Sequence, residues 1–300
     1  MVSLKNFLVV FDALFLVCLF ACDLRAKPPQ KIEQASGAAH EMFNVSDFIL
    51  KSKNGEKYKI FIARQKNVAR YDKVVFMVDA NAQVAMLLNS YAQIYADPNI
   101  AKENVKIGSK LNKTVLIVGI GYDSPLAYDI KRRTRDLTPA ASGEEYANGG
   151  GAAEFYDFVK DELFPLVEKK YSTAKSDKIY FGHSFGGLFG IYALLRDDGI
   201  FDEFFIASPS LWWGESQLIR DALDEGKLRS NLKAKFIILV AGSREMCKGK
   251  TDKAGILKAA DLAEILKARG FSCEFKLYEG ASHGEVIPLA LQDLALFTQR

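Results

Sequence analysis

The stretch KIYFGHSFGGLFGIYAL, Lys178 to Leu194, changes character in its middle. The residues before Gly182 alternate and are apolar enough for a buried strand, those from Phe185 onward carry helical spacing, and only GHSFGG lies between. A G-x-S-x-G between a strand and a helix puts its serine on a sharp, strained turn at the helix N-terminus. Gly182 and Gly186 leave room for two backbone segments to close on each other, and negative charge developing at Ser184 is favoured at that end of a helix. Three common residues also match such a pattern by chance. The strand before it, the helix after it and the third glycine, Gly187, make Ser184 the expected nucleophile.

A serine hydroxyl needs a base to become a useful nucleophile. The chain has three histidines. His40 falls in or just beyond a polar N-terminal segment, and His183 adjoins the serine, so its side chain is expected to project elsewhere in a structural role. His283, in EGASHGEV after the last strand, is therefore the expected base. In the chain order Ser, acid, His, the acid follows the strand KFIILVA. Glu245 lies closest to that strand end; Asp252, Asp261 and a Ser-His dyad without an acid are the alternatives. The acid would orient His283 and stabilise the imidazolium. An oxyanion hole needs two backbone N–H groups. One should be that of Phe185, and the other should come from the loop after KVVFMVD, at Ala80 or Asn81, with Asn81 preferred.

Around this centre, apolar strands alternate with helical stretches. KVVFMVD, TVLIVGIG, KIYFGH, EFFIAS, KFIILVAGS and CEFKLYEG are the strands; helices are expected over 83–95, 152–171, 185–195, 214–223, 254–269 and 285–297. Strands apolar throughout and joined by helices form a parallel sheet covered on both faces. Before them, VSDFILKS and KYKIFIARQ flank Asn54-Gly55, a strong hairpin pattern. The expected fold is α/β, with a mostly parallel central sheet, antiparallel N-terminal strands and helices on both faces. The longest loop expected runs from Tyr122 to Gly151.

The ends and the composition narrow the class further. Of 300 residues, 49% are hydrophobic and 26% charged, with a net charge of +3, which speaks for one ordinary globular domain and against a nucleic-acid binder. After Lys5, the run FLVVFDALFLVCLFAC has the length and apolar character of a signal-peptide core. Leu19, Ala21 and Cys22 resemble a bacterial lipobox, so residues 1–21 read as a lipoprotein signal, Cys22 as the lipidated first residue, 22–43 as a tether and 44–300 as the folded domain, with an ordinary secretory signal cut nearby and an uncleaved anchor as the alternatives. Each of these readings puts the folded domain outside the cytoplasm, and Asp23, which resembles an inner-membrane retention residue, makes the periplasmic side of the inner membrane the expected location. Cys247 and Cys273 sit at opposite ends of neighbouring parallel strands, roughly 15 Å apart, and are expected to be unpaired. No His/Cys/Asp cluster has metal-ligand spacing, so neither metal nor cofactor is expected.

Together the motifs VDANAQ, RRTRDLTP, GGGAAEFYDFVKDELFPLVEKKY, GHSFGGLFGIYALL, SPSLWW and GASHGEVIP resemble the esterase branch of the α/β hydrolases. Within it they look like the siderophore esterases that hydrolyse enterobactin-type trilactones. The resemblance implies the α/β-hydrolase fold, Ser184 as nucleophile and His283 as base. It departs at Ala80, where the family commonly has glycine, and the family's acid position varies. It implies a small-molecule ester as substrate, with a ferric siderophore first among candidates. In that setting Arg132 and Arg135 of KRRTRD, on the long loop, are expected to contact an anionic, aromatic ligand. One of Trp212 and Trp213 reads as core packing and the other as an aromatic wall of the pocket. A general carboxylesterase and a lipid-anchored siderophore-binding protein without catalysis are the competing readings; the sequence does not decide oligomeric state.

Overall fold

In the computed structural model, residues 30–96, 113–196, 198–228, 234–245 and 255–300 are described. Their strands are β1 (Phe43–Lys51), β2 (Lys57–Gln65), β3 (Lys73–Met77), β4 (Val115–Tyr122), β5 (Asp177–His183), β6 (Glu203–Ala207), β7 (Phe236–Gly242) and β8 (Cys273–Tyr278). They form one sheet in the order β1-β2-β4-β3-β5-β6-β7-β8, antiparallel across β1-β2-β4 and parallel from β4 to β8. The helices are α1 (Gly37–Met42), α2 (Ala80–Ala96), α3 (Ile130–Leu137), α4 (Ala152–Phe158), α5 (Phe164–Tyr171), α6 (Phe185–Arg196), α7 (Gln217–Asp224), α8 (Ala259–Ala268) and α9 (Val286–Phe297).

Strand side chains alternate between faces, and the sheet sorts them into two cores. Val74 and Phe76, Leu116 and Val118, Tyr180, and Phe204 and Ile206 join one core with α4 to α8. Their neighbours Val75 and Met77, Val115 and Ile117, Ile179 and Phe181, and Phe205 and Ala207 join the other with α2 and α9. Two crossovers therefore leave the centre of the sheet in opposite directions. From β3 the chain returns through α2 to β4 on one side, and from β4 it crosses by α4 and α5 to β5 on the other. Right-handed crossovers on opposite faces require this reversal, and the crevice at the C-terminal strand ends beside it is where open α/β sheets place ligands.

Three expectations are corrected. The stretch from Tyr122 to Gly151 is not one loop, because it contains α3, whose N-cap Asp129 accepts the Arg132 N–H at 3.1 Å. Five charged residues in IKRRTRDL obscure its periodicity, although Arg133, Asp136 and Leu137 are buried. The helix expected over 152–171 is broken by a π-helical turn, Val159–Leu163, between α4 and α5. The folded unit also begins before residue 44: Ser36 caps α1, Ala39 is buried beneath it, and Asn89 of α2 bonds the Ser36 N–H and the Gln34 carbonyl. Small polar residues that read as tether are also the ones that cap and fit a short helix against the sheet. Cys273 is a free thiol; Cys22, Cys247 and Asp252 lie outside the described residues.

At the end of the sheet opposite the serine, Lys73 is 6% exposed and reaches Glu203 at 3.0 Å and Asp177 at 3.1 Å, tying the starts of β3, β5 and β6. Removing the buried cation takes the ion-pair partner from the half-buried Glu203 carboxylate. Lys73→Ala should lower the unfolding free energy by about 3 kcal/mol in urea titrations and leave turnover per folded molecule unchanged.

Candidate active site

The elbow at Ser184 is built from both sides. Ser184 has φ +61, a left-handed conformation that is uncommon for a residue with a side chain. Its N–H donates to the Ala207 carbonyl of β6 at 3.0 Å, and its own carbonyl accepts from Leu188 of α6 and from Ser210. A Cβ at Gly182 would lie 2.3 Å from the Gly186 carbonyl oxygen, so the strand and helix meet as closely as they do only because Gly182 has no side chain. Beneath them, the Tyr180 hydroxyl donates to that same carbonyl at 2.6 Å. The Ser184 hydroxyl lies 3.1 Å from the Ser210 hydroxyl.

Histidine and acid arrive on the loops after β8 and β7. The chain after β8 folds back over the end of β7, with the Arg244 N–H on the Ala281 carbonyl at 3.0 Å. His283 Nδ1 stands 3.5 Å from Glu245 Oε2, an ion-pair distance that is long for a hydrogen bond. The other carboxylate oxygen accepts from the Gly242 N–H at 2.6 Å and from the Ser208 hydroxyl, so Glu245 is held from behind. Of the acids weighed from sequence, Glu245 is brought to His283; Asp261 caps α8, accepting the Lys258 N–H.

His183 does not project away from the site, as its place next to the nucleophile had implied. Its ring centre is 4.5 Å from that of His283, and its Nε2 lies 2.9 Å from the His283 carbonyl. A carbonyl only accepts, so Nε2 carries the hydrogen and anchors the loop that presents His283. Burial, followed by the influence of His283 and of Arg133, pushes the His183 pKa well below its ordinary 6.5.

The loop after β3 faces the elbow from the other side. Asn81 Oδ1 accepts the Tyr122 N–H at 2.8 Å while its amide donates to the Tyr122 and Ser124 carbonyls, which fastens the first turn of α2 to the end of β4. The backbone N–H groups of Ala80 and Asn81 belong to that first turn, and helical first-turn N–H groups have no intrahelical acceptor. The Phe185 N–H occupies the same position in α6.

The arginines chosen from sequence are turned to another task. Arg132 bonds the Lys57 carbonyl at 2.6 Å and Glu56 at 3.3 Å, its guanidinium 4.6 Å from the Tyr122 ring centre; Arg135 bonds Glu56 and Asp136, each at 2.7 Å. Both pin α3 to the β1-β2 hairpin. Arg135 borders a cleft of about 180 Å3 beside Tyr58 and Glu154, whose lining does not include Ser184. Arg133 is the arginine that reaches the elbow. It forms a two-pronged pair with Asp79 at 2.8 Å on each prong, its guanidinium 5.2 Å from the Phe185 ring centre. Helical spacing carries the missed clue, since Arg133 lies four residues before the apolar Leu137 on one helix face. Trp213 is buried, donating its indole N–H to the Pro139 carbonyl at 2.9 Å, whereas Trp212 is half-buried with its ring 5.7 Å from that of Phe185.

A sheet of this order with a serine on the turn after β5 defines an α/β hydrolase. The chain belongs to the family described as "Putative esterase", whose model matches residues 96–286. It is 27% identical to the ferri-bacillibactin esterase BesA of Bacillus subtilis over 87% of this chain and 92% of that one. It is 30% identical to the siderophore enterobactin esterase of Emericella nidulans over 61% of this chain and 71% of that one. The crystal structure of the BES protein from Bacillus cereus matches with a TM-score of 0.69 at 27% identity, covering 91% of this chain and 99% of that one. The protein is thus a carboxylic ester hydrolase.

His183 also predicts an acid sensitivity. Its folded pKa lies below the unfolded value of 6.5, so below about pH 6.5 the unfolded chain binds a proton that the native one does not. Stability therefore falls with pH, by up to about 1.4 kcal/mol per unit from this group. In urea titrations between pH 7 and pH 5, His183→Gln should show a slope shallower by that amount; unchanged slopes would refute the assignment.

Proposed function

We propose that the protein is a serine esterase that opens siderophore esters, with enterobactin-type trilactones as the first substrates to test. The observation that carries the mechanism is the left-handed turn that lifts Ser184 at the head of α6, with the loops bearing His283 and Glu245 beside it. The support for the substrate class is the pair of relatives, named as esterases of ferri-bacillibactin and of enterobactin.

In this reading the Ser184 oxygen attacks the ester carbonyl while His283 takes the hydroxyl proton. Glu245 faces Nδ1, which leaves Nε2 for the proton transfer. The carbonyl oxygen becomes an oxyanion between the N–H groups of Phe185 and Asn81. Collapse of the tetrahedral intermediate breaks the ester C–O bond, and His283 returns the proton to the departing alcohol. Water then adds to the acyl-enzyme with His283 again as base, releasing the acid and restoring Ser184. The His283 side chain is 42% exposed, enough for a water to reach it. Any iron enters with the substrate. Trp212, half-buried beside Phe185, supplies an aromatic surface for the acyl group.

The envelope setting is part of the proposal. The Leu19, Ala21, Cys22 pattern supports a lipid-anchored protein on the periplasmic side of the inner membrane. Cys22→Ser should abolish incorporation of labelled palmitate and release the protein from washed membranes; a labelled Cys22→Ser chain would rule this out.

The test of function uses the detergent-purified full chain with apo and ferric enterobactin-type trilactone and, separately, an aryl acetate. Trilactone opening should exceed aryl acetate cleavage in kcat/KM. Ser184→Ala and His283→Ala should each lose at least about 1,000-fold in kcat, and Glu245→Gln less. Aryl acetate cleavage without trilactone opening would remove the siderophore assignment and leave the serine mechanism intact.

A further inference from the structure

The Asp79–Arg133 pair has no part in the reaction above, yet it touches both backbone segments on which the oxyanion site depends. Asp79 is the residue before α2, its carbonyl accepting the N–H groups of Ala82 at 3.1 Å and Gln83 at 3.2 Å. Its backbone conformation therefore sets where the N–H groups of Ala80 and Asn81 point. That conformation is left-handed, φ +53, which costs a residue with a side chain on the order of 1–3 kcal/mol and persists only where the surroundings hold it.

Arg133 supplies the hold. Its Nε donates to Oδ1 and its Nη2 to Oδ2, both at 2.8 Å, and the two side chains are 7% and 1% exposed. A planar fork on a planar carboxylate fixes orientation as well as distance. The same carboxylate packs on the elbow, for a Cβ at Gly186 would lie 3.7 Å from Asp79 Oδ2. The guanidinium lies over the ring of Phe185, whose N–H is the second oxyanion donor. Net stability is a poor account of the pair, because ion pairs this deeply buried are often matched or exceeded by apolar side chains of the same volume.

We propose that Arg133 and Asp79 are positioning residues for the oxyanion hole. The fork holds the Asp79 turn against the elbow and so sets the Asn81 N–H relative to the Phe185 N–H. The proposal rests on the serine-esterase reading and adds to it a requirement for the forked geometry rather than for a positive charge alone.

The decisive variant is Arg133→Lys, which keeps the charge and loses the fork. Full-chain wild type and variant are titrated to completion with a fluorophosphonate to count reactive Ser184, and kcat and KM for an aryl acetate are then expressed per titrated site. The expected result is a kcat per site lower by about 10- to 100-fold with KM within about threefold of wild type. A kcat per site within twofold of wild type, with only the titrated fraction reduced, would overturn the positioning role and leave a structural one. Should Arg133→Lys fail to fold, Asp79→Asn, which keeps the side-chain shape, is read by the same two criteria. A wild-type chain that neither reacts with the fluorophosphonate nor cleaves esters would overturn the serine-esterase reading, and the positioning role with it.

Discussion

The turn at Ser184 places a residue with a side chain where glycine is at ease, and the centre of the molecule is arranged to keep it there. The Ala207 carbonyl, the Ser210 N–H and the first turn of α6 secure its backbone, and Tyr180 secures the helix from below. It is not alone. Asp79 after β3 and Ser208 after β6 also have positive φ, so three adjacent strands end in left-handed residues at the same edge of the sheet. Such strain needs over-determination by its surroundings, and each of the three has it. Asp79 is forked by Arg133, and Ser208 is fixed by the Val240 carbonyl on one side and Glu245 on the other.

From this edge the role of the SPSLWW motif follows. Ser208 and Ser210 flank Pro209, and each touches a different member of the candidate triad: the Ser208 hydroxyl donates to Glu245, and the Ser210 hydroxyl shares a hydrogen bond with that of Ser184. The loop after β6 thereby joins nucleophile and acid, although both come from other strands. The base is held separately, by the His183 ring on its backbone carbonyl. Glu245 is thus fixed twice from behind, and its second carboxylate oxygen stands 3.5 Å from His283.

Much of this was legible in the sequence, and what was not has physical causes. The parallel strands are apolar throughout, and the hairpin carries Asn54-Gly55, so their periodicity and turn chemistry survive without tertiary context. Gly182 and Gly186 around Ser184 marked the elbow because only close backbone approach explains them together. The helix Ile130–Leu137 was hidden because its buried face is made of Arg133 and Asp136 as well as Leu137, and buried ion pairs leave no apolar stripe. Adjacency in sequence likewise misled at His183, since neighbouring residues on a sharp turn can both face the loop that closes over it.

The arginine cluster shows how far charge pattern alone carries substrate recognition. KRRTRD looks like a patch awaiting an anion, but its three arginines are already in contact with three carboxylates: Arg132 and Arg135 with Glu56, Arg135 with Asp136, and Arg133 with Asp79. The charges balance within the fold, and the most buried of these pairs is the one beside the serine. Beside the serine, the Phe185 ring lies between the ring of Trp212 and a guanidinium already paired with Asp79. The charge run in KRRTRD thus reports contacts made within the fold, and the guanidinium nearest the serine is itself committed to Asp79.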